Sequence, residues 1–520
     1  MKITIGKKYL VFPINTNGKN KYLQFFLGGR AVYELNLKLD RFAPDFRAYI
    51  DVSRYLGETL ELVIAPEMEI PLEQADRMEL PGVYGEALRP QVHFSAKNGW
   101  INDPNGLIYL DGVYHLFYQY NPAGNNWDNM HWGHAVSGDL IRWEERDVAM
   151  FVGEQGNIFS GSAIVDRENR SGLAEGENPA VLLYYTATGR PFTQRLAYST
   201  DGLQTIREYP GNPVVPHLEG ANRDPKVMFC EELRCYVMAL FLINNRYALL
   251  SSEDLKGWRV FQELDIPNEA ECPDLFSIRD GKGRKKWVLM GASDHYLVGE
   301  FREGAFVPCQ EVRCFQYGSG AYAGQSFSGL PGDRVVRVCW DRWDHPSTSF
   351  TGQMGIPLEL SLEEEDGEFF LRAAPVKELK GLFLRREVLE GRAIAPGAPL
   401  RADLEERPYF WRLRGAYAEG VVLEVTVFGC RIQVDFSRNQ LSLGGKTMPV
   451  SARKDGLDLI GISDRHSVEI FADGGRGYLV EAEEAGLWDP NLPWLVVAAD
   501  GEYQVEEAEL CPMGSIWENC

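Results

Sequence analysis

Ser137-Gly-Asp-Leu-Ile-Arg-Trp143 and Ser252-Glu-Asp-Leu-Lys-Gly-Trp258 share the pattern S-x-D-L-x-x-W, and a degraded copy, Ser199-Thr-Asp-Gly-Leu203, stands between them. The three serines are about 50–60 residues apart, the length of a four-stranded propeller blade with long loops. Each Asp is placed to cap a turn and each Trp to pack between blades, so the repeat reads as structural. Around it nearly every segment reads as a short strand. Gly112-Val-Tyr-His-Leu-Phe-Tyr-Gln-Tyr120, Ala180-Val-Leu-Leu-Tyr-Tyr-Thr186 and Lys286-Trp-Val-Leu-Met-Gly291 are rich in β-branched and aromatic residues, with Gly, Asn, Asp and Pro between such runs. Helical periodicity is scarce; Pro375-Val-Lys-Glu-Leu-Lys-Gly-Leu382 reads as one short helix.

The chain is therefore expected to be all-β, in three zones. Residues 1–88 alternate as strands, with a hairpin at Gly28-Gly29, and form an accessory N-terminal β domain whose Pro- and Glu-rich end, Pro66 to Pro90, reads as a linker. Residues 89–385 are dense in Trp, Tyr and Asn and carry the repeat. Residues 386–520 return to plain alternation, as in Gly420-Val-Val-Leu-Glu-Val-Thr-Val427, which suits a β-sandwich.

Composition narrows the function. Lys plus Arg total 53 against 75 Asp plus Glu, a net charge of −22. That balance argues against nucleic acid or an anionic membrane surface, both of which reward clustered positive charge, and suits a neutral ligand. Nine scattered cysteines form no C-x-x-C pair, and eight histidines form no H-E-x-x-H, so no metal site is expected. Reduced thiols and an N-terminus, Met1-Lys-Ile-Thr-Ile-Gly-Lys-Lys, without a signal-peptide core fit a cytoplasmic protein.

Three motifs set an acid beside a turn-former: Trp100-Ile-Asn-Asp-Pro-Asn-Gly106, Asn222-Arg-Asp-Pro-Lys-Val227 and Glu271-Cys-Pro-Asp-Leu-Phe276. A following Pro restricts the acid's backbone, pushing it toward extended geometry and aiming a carboxylate rigidly. Asp-Pro and Asn-Gly are also ordinary turn dipeptides, so each motif alone admits a purely structural reading.

Taken in order, the motifs resemble glycoside hydrolase family 32, the invertases, inulinases and levanases. The resemblance runs through His93-Phe-Ser-Ala-Lys-Asn-Gly-Trp-Ile-Asn-Asp-Pro-Asn-Gly106, Phe117-Tyr-Gln-Tyr-Asn-Pro122, Trp132-Gly-His-Ala-Val-Ser137, Phe159-Ser-Gly-Ser162, Arg223-Asp-Pro225, Glu271-Cys-Pro-Asp274, Gly352-Gln-Met-Gly-Ile-Pro-Leu-Glu-Leu360 and Asp464-Arg-His-Ser-Val-Glu-Ile-Phe471. It implies a five-bladed β-propeller catalytic domain followed by the C-terminal β-sandwich. It also implies a retaining, exo-acting β-fructofuranosidase that removes terminal fructosyl residues from sucrose or fructan oligosaccharides. Asp103 would be the nucleophile, Glu271 the acid/base and Asp224 the transition-state stabiliser. A retaining pair stands about 5–5.5 Å apart, a separation at which ionised Asp103 is expected to keep Glu271 protonated.

By the same resemblance Asn102, Gln119, Trp127, Phe159, Ser160, Arg223 and Tyr322 would hold the sugar, and no metal or organic cofactor is required. Trp127 could instead pack between blades, Phe159 could be wall, and Arg223 could pair with a surface acid. Cys272 reads as a small buried neighbour of the acid/base. The chain departs from the G-x-D-F-Y-A-x-Q-x-F segment of many relatives: Gly318-Ser-Gly-Ala-Tyr-Ala-Gly-Gln-Ser-Phe327 has Gly320 and Ala321 for the Asp and Phe. That places sucrose preference in question. Ala96 replaces a common Pro with little consequence expected. The same residues would serve a fructosyltransferase, and a fructan-binding protein without turnover is a third reading. The N-terminal domain is expected to bind substrate, brace the propeller or, like the sandwich, support a homo-oligomer.

Overall fold

A computed structural model describes residues 1–343, 349–450, 456–482, 489 and 491–518, and over them strands dominate. Five four-stranded antiparallel meanders follow one another as the blades of a propeller. Blade I begins at strand Gly99–Leu110, blade II at Ile158–Asp166, blade III at Arg223–Cys230, blade IV at Asp274–Arg279 and blade V at Ala321–Ser326. These five first strands contact one another in cyclic order, the fifth meeting the first, and so line the axis. Phe350–Thr351, which follows the second strand of blade V, pairs in parallel with Gly99–Trp100 and closes the ring. No helix among the described residues is long and apolar enough to cross a membrane; the expected short helix is a 3-10 turn at Lys377–Leu382.

The repeat is the turn between the third and fourth strands of blades I, II and III. In each, one Asp oxygen accepts two successive backbone N–H groups: Ile141 and Arg142 on Asp139, Gln204 and Thr205 on Asp201, Lys256 and Gly257 on Asp254. These bonds hold a buried leucine at positive φ, Leu140, Leu203 and Leu255, a conformation that leucine alone disfavours. Trp258 meets Tyr184 of blade II edge-on at 5.7 Å. The motif thus pins blade to blade.

Before the propeller, a four-stranded and a three-stranded sheet enclose an apolar core of residues such as Phe12, Leu23, Phe25, Leu35 and Ile50. The hairpin between Lys21–Leu27 and Arg30–Leu37 turns on Gly28 and Gly29, both at positive φ, as a two-residue turn requires. The stretch read as a linker is instead docked. Glu73–Ala75 adds a strand to the three-stranded sheet, Tyr84 stacks on Trp517 at 4.2 Å, and Arg89 is fully buried over the Phe350 ring, bonded to Ser95 Oγ and the Ala96 carbonyl. Polar composition suggested solvent there; paired Arg89 and stacked Tyr84 bury it. After the propeller, two sheets of six and seven strands pack over Trp411, Trp494, Val425 and Leu459.

Propeller and sandwich share a continuous core, and at its centre lies a charged joint. His93, at the entry to blade I, places Nδ1 2.9 Å from Asp464 and Nε2 2.8 Å from Glu469, all three fully buried. Glu469 also accepts from Tyr478 Oη and the Ile356 N–H. Burial alone would depress the His93 imidazolium, but the two carboxylates outweigh it and push its pKa up to about 10. His93, Asp341 and Glu469 lie close enough to suggest a metal site, yet both ring nitrogens already face carboxylates. Because the folded pKa lies above the unfolded value of 6.5, the stabilisation is complete below about pH 6.5 and fades as pH rises toward about 10. His93→Gln should lower unfolding free energy by roughly 3–5 kcal/mol at pH 6. The deficit should shrink steadily by pH 10 in chemical denaturation; a gap independent of pH would refute the buried imidazolium.

Candidate active site

The expected acids converge at one end of the propeller axis, and the first strands of blades I, II, III and V break their regular pairing where a site residue stands, while that of blade IV pairs regularly. The register slips between Ile101 and Pro104 around Asn102 and Asp103, between Ile158 and Gly161 around Phe159 and Ser160, between Arg223 and Lys226 around Asp224, and between Tyr322 and Gln325. Such bulges re-aim side chains without ending the strand. Glu271 sits in the turn just before blade IV. Asp224, Glu271 and Cys272 have φ of 65°, 60° and 34°, values that non-glycine residues adopt only when the surroundings enforce them. The expected extended backbone before proline therefore fails at Asp224, where the bulge and the Cys272 N–H override the local preference.

Cys272 is the hub. Its N–H donates to Asp224 Oδ2 at 3.0 Å, and its thiol lies 3.3 Å from Asp103 Oδ2 and 3.5 Å from Asp224 Oδ2. Burial and the surrounding carboxylates raise its pKa well above that of a free thiol, so the thiol stays protonated and serves as a donor. Asp103, partly accessible, also accepts from Ser160 Oγ at 2.6 Å and from Asn102 Nδ2 at 3.2 Å, while Asn102 is fixed by Trp100 Nε1. Arg223 bridges the other two acids: Nη2 to Glu271 Oε1 at 2.7 Å and Nε to Asp224 Oδ2 at 3.7 Å, its plane resting on Phe241. Tyr322 Oη donates to Glu271 Oε2 at 3.3 Å.

The electrostatic load falls on the two aspartates. Burial, reinforced by Glu271, raises Asp103 against its hydrogen bonds from Ser160 and Asn102. Burial, with Asp103 and Glu271 adding to it and Arg223 opposing, pushes Asp224 up to about 7. Glu271 faces Arg223 and Tyr322.

The remaining expected residues divide. Trp127 is 51% exposed and meets Phe159 edge-on at 5.9 Å, with Phe192 beyond at 5.8 Å; it is a rim residue and packs in no blade. Gln119 is buried and donates to the Ile158 carbonyl, holding the strand that carries Phe159 and Ser160. Beneath the acids, Lys226 pairs with Asp274 at 2.9 Å and both bond Ser326, a satisfied polar plug joining blades III, IV and V.

Sequence reasoning underrated Cys272 and missed Arg342 and Trp340. The Arg342 guanidinium covers the Tyr322 ring at 4.6 Å, and Trp340 stands edge-on to Trp100 at 5.8 Å. The density of Trp340-Asp-Arg-Trp-Asp-His345 was the available signal; residues 344 and 345 lie outside those described. Gly318 and Gly320 press against the sandwich strand Gly477–Ala482, where a Cβ would come within 2.0 Å and 2.7 Å of Val480. An Asp at 320 does not fit this packing.

Comparison with known proteins gives concordant results. The profile of the glycosyl hydrolases family 32 N-terminal domain matches residues 93–373. A levanase of Bacillus subtilis (strain 168) is 31% identical over 488 residues, covering 84% of this chain and 72% of that protein. An extracellular exo-inulinase of Aspergillus niger is 32% identical over 338 residues, covering 54% and 63%. Among solved structures, exo-inulinase from Aspergillus awamori superposes with a TM-score of 0.74 at 23% identity, covering 85% of this chain and 100% of that one. A β-fructofuranosidase from Schwanniomyces occidentalis superposes with a TM-score of 0.76 at 22% identity, covering 84% and 100%.

The elevated Asp224 carries a stability consequence. Its folded pKa exceeds the unfolded value of 3.8, so the fold loses stability as pH rises from about 4 to about 7. Asp224→Asn should be more stable than wild type by on the order of 2 kcal/mol at pH 8, with the gain gone at pH 4. Denaturation at the two pH values checks this; a variant less stable at pH 8 would contradict the assignment.

Proposed function

This chain belongs to glycoside hydrolase family 32, and from that premise we propose that it is a retaining, exo-acting β-fructofuranosidase that cleaves terminal fructosyl residues from fructan oligosaccharides. The observation that carries the reading is the convergence of Asp103, Asp224 and Glu271 in one cluster, tied by Cys272 and Arg223. The relatives' names, levanase and exo-inulinase, support the fructan substrate.

In this reading Asp103 attacks the anomeric C2 as the C2–O bond to the leaving sugar breaks, and Glu271 gives that oxygen its proton. The products are a fructosyl ester on Asp103 and a free leaving group. Esterification removes the Asp103 charge. Glu271, now a carboxylate, takes a proton from water as the water oxygen attacks C2 and Asp103 departs. Two inversions give net retention. Asp224, rigid between Arg223 and the Cys272 N–H, holds ring hydroxyls with bonds that strengthen as positive charge develops. Asn102 and Ser160 orient the nucleophile, and Trp127 and Phe159 give the ring its apolar contact. On the leaving-group side, Gly320 supplies no acid and Arg342 overlies Tyr322, which supports a preference for a second fructosyl unit over the glucose of sucrose.

Asp103→Asn and Glu271→Gln should each lower kcat by at least about 10³-fold with the unfolding transition retained. Product analysis by NMR should show the β-furanose anomer of fructose first. Near-wild-type turnover by either variant, or initial release of the α anomer, would overturn the assignment. A panel of sucrose, inulin-type and levan-type oligosaccharides should give the highest kcat/KM on a fructan; a sucrose optimum would refute the proposed preference.

A further inference from the structure

The loop that presents Trp127 runs from Pro122 to Met130, between the second and third strands of blade I. Asn98, Asn121 and Asn157 of the propeller bond its Pro122 and Asn126 carbonyls and its Met130 N–H, and the N-terminal sheets hold it at both ends. At its start, Ala123 is part of the apolar core of the N-terminal sheets. At its end, the Asn129 side chain completes the open edge of an N-terminal strand. Arg30–Leu37 is the edge of its sheet, and Asn36 turns its N–H and carbonyl outward, away from its partner Tyr22. Asn129 Oδ1 accepts the Asn36 N–H at 2.7 Å, and Asn129 Nδ2 donates to the Asn36 carbonyl at 2.9 Å. One side-chain amide thereby takes the place of a neighbouring strand's peptide group. The same Nδ2 lies 3.2 Å from Asn121 Oδ1, tying the end of the loop back to its start.

A second link stands directly behind. The Asn129 carbonyl can only accept, so His131 Nδ1 carries the proton it shares with that oxygen. Nε2 of a neutral ring is then left as an acceptor, and Tyr33 Oη donates to it at 2.7 Å, fully buried. The Arg54 guanidinium, 4.5–4.9 Å from the rings of Tyr33, Tyr55 and Phe151, donates to the Val152 carbonyl, so Tyr33 is itself held between the two units. From Trp127 the contacts continue inward to Phe159, whose neighbour Ser160 donates to Asp103.

We infer that the N-terminal β unit is a positioning element of the substrate pocket: through Asn36 on Asn129 and Tyr33 on His131 it fixes the loop that holds Trp127 at the rim. The inference rests on the proposed function for Trp127's contact with sugar, but the fixing itself is a property of the free protein. An exposed indole on a loop held by the propeller alone would have to be ordered further by each incoming substrate, and that ordering would appear as weaker binding with the chemistry unchanged. Tyr33, Asn36, Asn129 and His131 are thus positioning residues that touch no substrate.

Two full-length variants test it. Asn129→Asp keeps the acceptor for the Asn36 N–H but sets an oxygen against the Asn36 carbonyl. Tyr33→Phe removes only the hydroxyl on His131, and it carries the same measurements should the first variant not fold. In protein labelled with 5-fluorotryptophan, the ¹⁹F line lost on Trp127→Phe identifies Trp127. In Asn129→Asp that line should shift and narrow toward a freely rotating indole, while the lines of the buried tryptophans stay. In kinetics on a fructan oligosaccharide, Asn129→Asp should raise KM by about tenfold with kcat within about twofold, and Tyr33→Phe by less. Combined with Trp127→Ala, neither should add to the loss that Trp127→Ala causes alone. An unchanged Trp127 line in both variants, or losses that multiply with that of Trp127→Ala, would overturn the inference. A wild-type chain that cleaves no fructoside would refute the proposed function and leave the ¹⁹F comparison to decide the brace.

Discussion

Three carboxylates crowded against one thiol are a destabilising arrangement, and the structure is organised around sustaining it. Water would screen such a cluster; here the burial of Asp224 and the partial burial of Asp103 weaken that screening, and Arg223 is a cation set against it, reaching Glu271 and Asp224. Asp103 is held by neutral donors, Ser160, Asn102 and the Cys272 thiol. Neutral donors orient a carboxylate without lending it a full countercharge, which leaves Asp103 both directed and available for the attack proposed for it. The raised pKa values of the two aspartates are the energetic signature of that compromise, of the kind concentrated at functional sites.

The propeller supplies the rigidity that the cluster requires. Five first strands meet round one axis, and four of them are bulged where they pass the site, so that residues remote in sequence point into one space while the strands beyond them remain regular. Below the acids, Lys226, Asp274 and Ser326 close the axis with mutually satisfied polar groups. The sandwich bears on blade V through Val480 against Gly318 and Gly320, and His93 ties the entry of blade I to the sandwich strands. The N-terminal sheets engage the Pro122–Met130 loop of blade I and the strand that follows it through Asn36 and Tyr33. The propeller is thus held by two units that contribute none of the three acids.

What was legible in the sequence was whatever depends on local chemistry. The S-x-D-L-x-x-W turns declared themselves because one Asp capping two N–H groups is a property of four or five consecutive residues. Gly28-Gly29 did so because a two-residue hairpin needs positive φ. The acids Asp103, Asp224 and Glu271 were visible as ordered motifs of a known family, with their convergence implied by the fold that family adopts. What depends on tertiary packing was not legible. A proline after Asp224 suggested an extended backbone, but a bulge and one distant N–H hold it at φ 65°. The Pro66–Pro90 stretch looked solvated, yet Arg89 is buried by partners that no composition reveals. Asn129 carries no local signal of its role, because its partner Asn36 is far away in the chain.

In the proposed reaction Asp103 is the residue that carries the sugar between the two half-reactions. The most direct measurement is a quenched reaction of Glu271→Gln with a β-fructofuranosyl donor whose fluoride leaving group needs no protonation, followed by mass-spectrometric peptide mapping. A fructosyl ester on Asp103, accumulating because the base that would activate water is gone, is the expected result. An ester on any other residue, or turnover of the donor with no ester formed, would contradict it.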